Sequence, residues 1–238
     1  LYQLYSWAHM PWEWHKPLFD KAKEVGITIF SSPFDFSAVA LLEKLDAPAY
    51  KIASFELVDL PLIKQVANTG KPMIMSTGMA SQQEIREAID IACGNGCDQL
   101  IVLHCVSGYP APADQYNLET MTDIASRFDV MVGLSDHTVD NATAVAAAAL
   151  GANIIEKHVT LDRSEGGPDD SFSIEPHELE KLCVDTKTAW QAIGNVNYEN
   201  SPSERANRKF RRSLYFVESG KKGDRITGEM VKSIRPGY

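Results

Sequence analysis

From Gly26 onward one unit recurs: a short, almost wholly apolar, β-rich run, a polar turn, an amphipathic helix and, in several copies, a glycine before the next run. No other feature so narrows the folds open to this chain. The runs are residues 27–30, 49–52, 72–76, 100–105, 130–134 and 154–158. Strands apolar on both faces belong in a parallel sheet that is covered on both sides. Between them, residues 59–68, 81–92 and 141–150 space apolar side chains three and four apart, as helices packed on a sheet do. Gly26, Gly70 and Gly151 stand where a helix must stop before the next strand.

Strand starts recur about every 22 to 30 residues, the length of one βα unit, and six units are visible. Six units can build a doubly wound sheet or part of a barrel. The distribution of polar residues decides between them. They cluster at or just past the C-terminal ends of successive strands: Ser31 and Ser32; Lys51, Ser54 and Glu56; Ser76 and Thr77; His104, Ser107 and Tyr109; Ser135, Asp136 and His137; Glu156, Lys157 and His158. Polar strand ends gathered on one face are how a (β/α)8 TIM barrel builds its active site. Six units do not close as eight do. The expectation is therefore an α/β chain with six of the eight βα units of a (β/α)8 TIM barrel, the N-terminal two missing, and a helix over 176–193 completing the outer ring. Residues 1–194 read as the barrel and 195–211 as a polar linker. Residues 212–238, with β-like runs at 213–217 and 230–234, read as the beginning of a second small domain. The start at Leu1 and the last residues, Ser233 to Tyr238, which stop without a tail or cap, suggest a piece of a longer protein, cut at both ends.

Composition sets outer limits. A formal charge of −9 argues against polyanion binding as the main role, so nucleic acid is not expected as a partner. No apolar run approaches the roughly 20 residues that cross a bilayer. No export signal opens the chain. Cys93, Cys97, Cys105 and Cys183 have no zinc spacing and read as reduced cytoplasmic thiols. Trp7, Trp12 and Trp14, with Tyr2 and Tyr5, read as a core cluster rather than a sugar platform.

The chemistry is concentrated at the strand ends. His137 and His158 each close an apolar run, and on neighbouring strands of a barrel their imidazoles would face one mouth. Two neutral imidazoles with an open coordination position suit a divalent transition metal acting as Lewis acid. Either histidine alone would more simply be a rim hydrogen-bonding group. Ser54, Ser76, Ser107 and Ser135 at four successive strand ends, with Lys51, suit a phosphorylated anion, although any one serine could merely satisfy local backbone. Glu56 is a candidate general acid/base. Tyr109 and Asp169, each beside a glycine-proline turn, could bind a polyhydroxylated substrate or be only turn residues.

Lys51-Ile-Ala-Ser54-Phe-Glu56, Ser76-Thr-Gly-Met79, Gly133-Leu-Ser-Asp-His137-Thr138, Glu156-Lys-His158 and Gly167-Pro-Asp169 resemble the signature of the sialic acid synthase family. These enzymes condense phosphoenolpyruvate with an acetamido sugar to make nonulosonic acids. The resemblance implies a (β/α)8 barrel followed by an antifreeze-like (SAF) domain, a domain-swapped homodimer, and a divalent metal on His137 and His158, manganese before magnesium or cobalt. It implies that Arg235 reaches the partner subunit's site and meets the sugar's acetamido group. Pro11-Trp-Glu-Trp-His15, Phe30-Ser-Ser-Pro-Phe-Asp35 and residues 166–173 resemble the pseudaminic acid branch more than the N-acetylneuraminate or legionaminic acid branches. Ser107 departs from the pattern, standing where N-acetylneuraminate synthases tend to carry asparagine. The family's first two strands supply a further lysine and glutamate that are absent here, so the chain alone is expected to be inactive. The rival expectations are a related barrel making a heptulosonate or octulosonate, and a non-catalytic sugar-binding protein.

Overall fold

The computed structural model describes residue 6 and residues 8–235; Tyr2, Tyr5 and Trp7 of the aromatic cluster lie outside them. Residues 1–194 and 195–238 form two compact units.

In the first unit five parallel strands form one curled half-barrel: β1 (Tyr50–Ile52), β2 (Met73–Ser76), β3 (Leu100–Cys105), β4 (Met131–Asp136) and β5 (Ile154–Lys157), hydrogen-bonded in chain order. The helices are α1 (Trp12–Val25), α2 (Phe36–Lys44), α3 (Leu60–Ala67), α4 (Gln82–Gly94), α5 (Glu119–Phe128), α6 (Ala142–Ala149) and α7 (Pro176–Ile193). Local chemistry sets their ends. Asp59 caps α3 through the Leu62 amide at 3.0 Å, and Ser81 and Glu84 form a reciprocal capping box on α4. Gly26 closes α1 at φ 78°, a conformation that glycine adopts without steric penalty.

The sheet's outer face and the helices share one core. Tyr50, Ile52, Met73, Met75, Val102, Val132 and Leu134 meet Leu62, Ile63, Val66, Ile85, Ile89 and Ile124, all buried. Each such side chain contributes about 1.5–3 kcal/mol on leaving water. Alternation along the strands then turns Lys51 the other way from Tyr50 and Ile52. Gly133 lies mid-strand in β4 because β5 passes too close for a side chain. A Cβ there would fall 2.3 Å from the Ile154 carbonyl oxygen and 2.7 Å from Leu103 Cδ2.

Two expectations need correction. Residues 27–30 do not form a strand; the only pairing there is a parallel bridge from Ser31 to Tyr50. Because β1 starts only at Tyr50, opposite Ser31, residues 27–30 lie before the paired stretch, and Ile27 is left 65% exposed. Trp12 and Trp14 are exposed rather than core, since α1 buries only Ala22. Within residues 195–211, Pro202–Phe210 forms a 3₁₀ stretch opened by a capping box of Ser201 and Glu204.

In the second unit β6 (Ser213–Phe216) and β7 (Val231–Ile234) pair antiparallel, Leu214 opposite Ser233. The Arg235 guanidinium lies 5.9 Å from the Phe210 ring centre. Among the described residues no helix is long and apolar enough to cross a membrane.

Candidate active site

β4 and β5 deliver two histidines side by side. His137 follows the last residue of β4 and His158 the last of β5; their ring centres are 5.2 Å apart, inclined at 70°. His137 Nδ1 is 2.9 Å from the Val106 carbonyl oxygen. A carbonyl only accepts, so Nδ1 carries the proton and Nε2 keeps a free lone pair. His158 Nδ1 is 3.3 Å from Asp169 Oδ2, which selects the same tautomer. Orientation of an imidazole through its second nitrogen is the usual support for a metal-ligating histidine, so this pair fits a divalent ion. Burial, followed by the neighbouring His137, pulls His158 below the ordinary imidazole range against the opposing carboxylates Glu156 and Asp169. Burial also pushes His137 down, but hydrogen bonding to Cys105 and the Val106 carbonyl outweighs it, for a net rise.

The turn carrying His137 is pinned from below. Lys157 Nζ pairs with Asp136 Oδ2 at 2.8 Å, both side chains almost wholly buried, and also donates to the carbonyls of Thr138 at 2.7 Å and Asp140 at 2.8 Å. Asp136 accepts from the Thr138 amide and hydroxyl. A buried pair holds only when its remaining polar capacity is met in this way.

The serines form a second group. Ser54, in the turn after β1, accepts from the Gly78 amide at 3.1 Å and donates to Cys105 Sγ at 3.5 Å. A Cβ at Gly78 would lie 2.0 Å from Ser107 Oγ and 2.8 Å from Ser54 Oγ, so the two hydroxyls converge over this glycine. Ser135 donates to the Glu156 carboxylate. Ser76 Oγ, Ser107 Oγ and Glu56 Oε2 are buried with no hydrogen-bond partner. Each orphan costs about 1–3 kcal/mol, a cost that a bound polar ligand would offset. Lys51, mostly buried, donates to the Ile52 carbonyl at 3.3 Å. Burial lowers its pKa, while Glu156, Cys105 and Glu56 oppose the shift. It lines a cavity of about 630 Å³ together with Phe30, Ser31, Ser32, Ile74 and Glu156. Burial and Asp59 raise Glu56 above the ordinary carboxylate range, against its own amide and Lys51.

Tyr109 stacks on His137 with ring centres 4.4 Å apart. Phe172, which is not evident as a site residue from sequence, packs 5.0 Å from His158 and 5.3 Å from Tyr109. Cys105, read from sequence only as a reduced thiol, likewise joins the site through its contacts with Ser54 and His137. Of the candidate residues, those from Lys51 to Asp169 gather at the strand ends of the first unit, whereas Arg235 belongs to the second. Glu175, His177 and Glu178 also bring three ligand atoms within 4.8 Å of one another. Glu178, however, is engaged by Arg163 and by the Glu175 amide, as a capped start of α7.

Two imidazoles and unpaired hydroxyls stand at the C-terminal strand ends of a curled parallel half-barrel, the face on which (β/α) barrels build their sites. The chain belongs to the NeuB family, which matches residues 1–198. It is 39% identical to the pseudaminic acid synthase of Helicobacter pylori over 237 residues, 99% of this chain and 70% of that protein. It is 40% identical to the N,N'-diacetyllegionaminic acid synthase of Campylobacter jejuni over 225 residues, 93% of this chain and 67% of that protein. The crystal structure of N-acetylneuraminic acid (sialic acid) synthetase from Leptospira borgpetersenii, in complex with citrate, superposes with a TM-score of 0.78 at 32% identity, covering 85% of this chain and 71% of that one.

Proposed function

We propose that this chain carries the synthase site of a transferase that joins phosphoenolpyruvate to an acetamido sugar, releasing phosphate and a nonulosonic acid. The observation that carries the reading is the facing pair His137 and His158, each with Nε2 free, beside the orphaned hydroxyls of Ser76 and Ser107. His137 and His158 are the residues that would hold a divalent metal, Mn2+ first and Mg2+ or Co2+ as alternatives, which would supply a Lewis acid for the sugar's carbonyl oxygen.

The chain's own groups do the rest. Lys51 and the hydroxyls of Ser54, Ser76, Ser107 and Ser135 hold the phosphate and carboxylate so that C3 of the enol faces the sugar aldehyde. C3 attacks that carbon and a carbon–carbon bond forms, leaving a cationic centre at C2. Water adds at C2 and gives its proton to Glu56, a carboxyl whose pKa burial raises. The tetrahedral centre then expels phosphate by C–O cleavage, leaving the keto acid. Tyr109 and Asp169 orient the sugar hydroxyls. The direct test is His158→Ala in the full-length protein: metal-dependent phosphate release should vanish, and activity surviving largely intact would refute the reading.

For the sugar we propose 2,4-diacetamido-2,4,6-trideoxy-L-altropyranose, which gives pseudaminic acid. Likeness to the H. pylori enzyme supports it. The comparable likeness to the C. jejuni legionaminic enzyme favours a second reading, in which the diacetamido sugar differs in stereochemistry. Product mass with each acetamido sugar in turn separates the two, with N-acetylneuraminate formation as the third outcome. In the same reading the protein is cytoplasmic, the second unit begins an antifreeze-like domain, and the enzyme is a domain-swapped homodimer. Arg235 then serves the partner subunit's site. Residues 195–238 hold ten Lys and Arg against five Asp and Glu, in a chain of net charge −9.

A further inference from the structure

Tyr116 lies in the segment between β3 and α5 and is almost wholly buried. Its phenol oxygen accepts the His137 backbone N–H at 2.6 Å and donates to the Ser135 carbonyl at 3.2 Å. One hydroxyl thus grips the β4 backbone on both sides of Asp136, where the ladder to β5 ends. The grip is itself held, because His104 Nε2 lies 2.5 Å from the Tyr116 carbonyl oxygen, and His104 is buried in β3. Two more contacts from the same segment complete the fixation of His137. The Ala111 amide donates to its carbonyl at 3.0 Å, and the Val106 carbonyl takes its Nδ1 proton. The segment that follows β3 therefore sets every hydrogen-bonding group of His137 except Nε2.

We propose that Tyr116 is a positioning residue for His137, backed by His104, and that its hydroxyl fixes where His137 Nε2 points. The inference rests on the reading of His137 and His158 as a metal pair. A ligand freed from its supporting hydrogen bonds loses affinity for the ion by roughly 10- to 100-fold. A residue important only for folding would not change ion affinity in molecules that remain folded.

The experiment is direct titration of Mn2+ alone, with the free ion followed by EPR, into full-length wild-type protein, Tyr116→Phe and Leu182→Ala. Leu182 is buried under a separate small cluster with Ala144 and Ile174 and controls for general destabilisation. Tyr116→Phe should keep its circular dichroism spectrum and lose at least tenfold in Mn2+ affinity, while Leu182→Ala binds as the wild type does. Equal binding by wild type and Tyr116→Phe would overturn the clamp and leave the metal pair standing. No binding by the wild type would overturn both. Hydrogen exchange of the wild-type His137 amide gives a reading that needs no variant. An N–H held by a buried phenol should exchange only with global unfolding, and exchange at the rate of exposed loop amides would contradict the proposal.

Discussion

At Glu56 the demands of chemistry and stability pull apart. Burial raises this carboxyl, and one of its oxygens has no partner. A folded-state pKa above the unfolded value means that the folded protein prefers the protonated form. The contribution to stability is complete below the unfolded value of about 4.3 and is lost as pH rises through the folded one. Glu56→Gln should therefore melt at a higher temperature than wild type at pH 7, with the difference shrinking toward pH 4, while synthase turnover collapses. A variant that is less stable at pH 7 would contradict the assignment of strain to this carboxylate. Gly78 makes a second test. A methyl there enters the space where Ser54 and Ser107 converge, 3.1 Å from Ser54 Cβ as well, so both serine side chains must shift. Gly78→Ala should fold and raise KM for phosphoenolpyruvate by about an order of magnitude, roughly the loss of one charge-assisted hydrogen bond; an unchanged KM would remove the cradle from the account.

At the level of elements, β4 matters most, because it carries the imidazole turn and meets both neighbouring strands. Gly133→Ala would push a methyl against the β5 backbone rather than a movable side chain, and should cost about 3 kcal/mol, the upper end of overpacking. Lys157→Met leaves Asp136 buried and unpaired, at about 3–5 kcal/mol. Denaturant unfolding measures both, and a loss under 1 kcal/mol in either would be inconsistent with the packing described. The strands were legible because a sheet buried on both faces requires uninterrupted apolar runs, which propensity and glycine punctuation then delimit. Residues 27–30 have the same composition and still fail, because pairing depends on where the partner strand begins and Tyr50 begins too late. The histidines and serines could be read from their places at strand ends. Tyr116 and Phe172 could not, since they are ordinary loop aromatics in sequence and acquire roles only through partners 21 and 14 residues away. Trp12 and Trp14 show the converse, large apolar residues whose helix turns them outward.

At the scale of the whole molecule, His137, His158 and the serines belong to the first unit and Arg235 to the second. On the proposed domain-swapped arrangement, Arg235→Ala should raise KM for the acetamido sugar while leaving KM for phosphoenolpyruvate unchanged. Mixing it with a His158→Ala partner should restore part of the activity, since one of the two sites would then be intact. No complementation would argue against exchange of the second unit between subunits. The central claim remains the paired imidazoles, and pulsed EPR of the Mn2+-loaded protein tests it most directly. The spectrum should carry hyperfine couplings from two imidazole nitrogens, one of them lost in His137→Ala and the other in His158→Ala. Bound Mn2+ without nitrogen coupling would contradict the account.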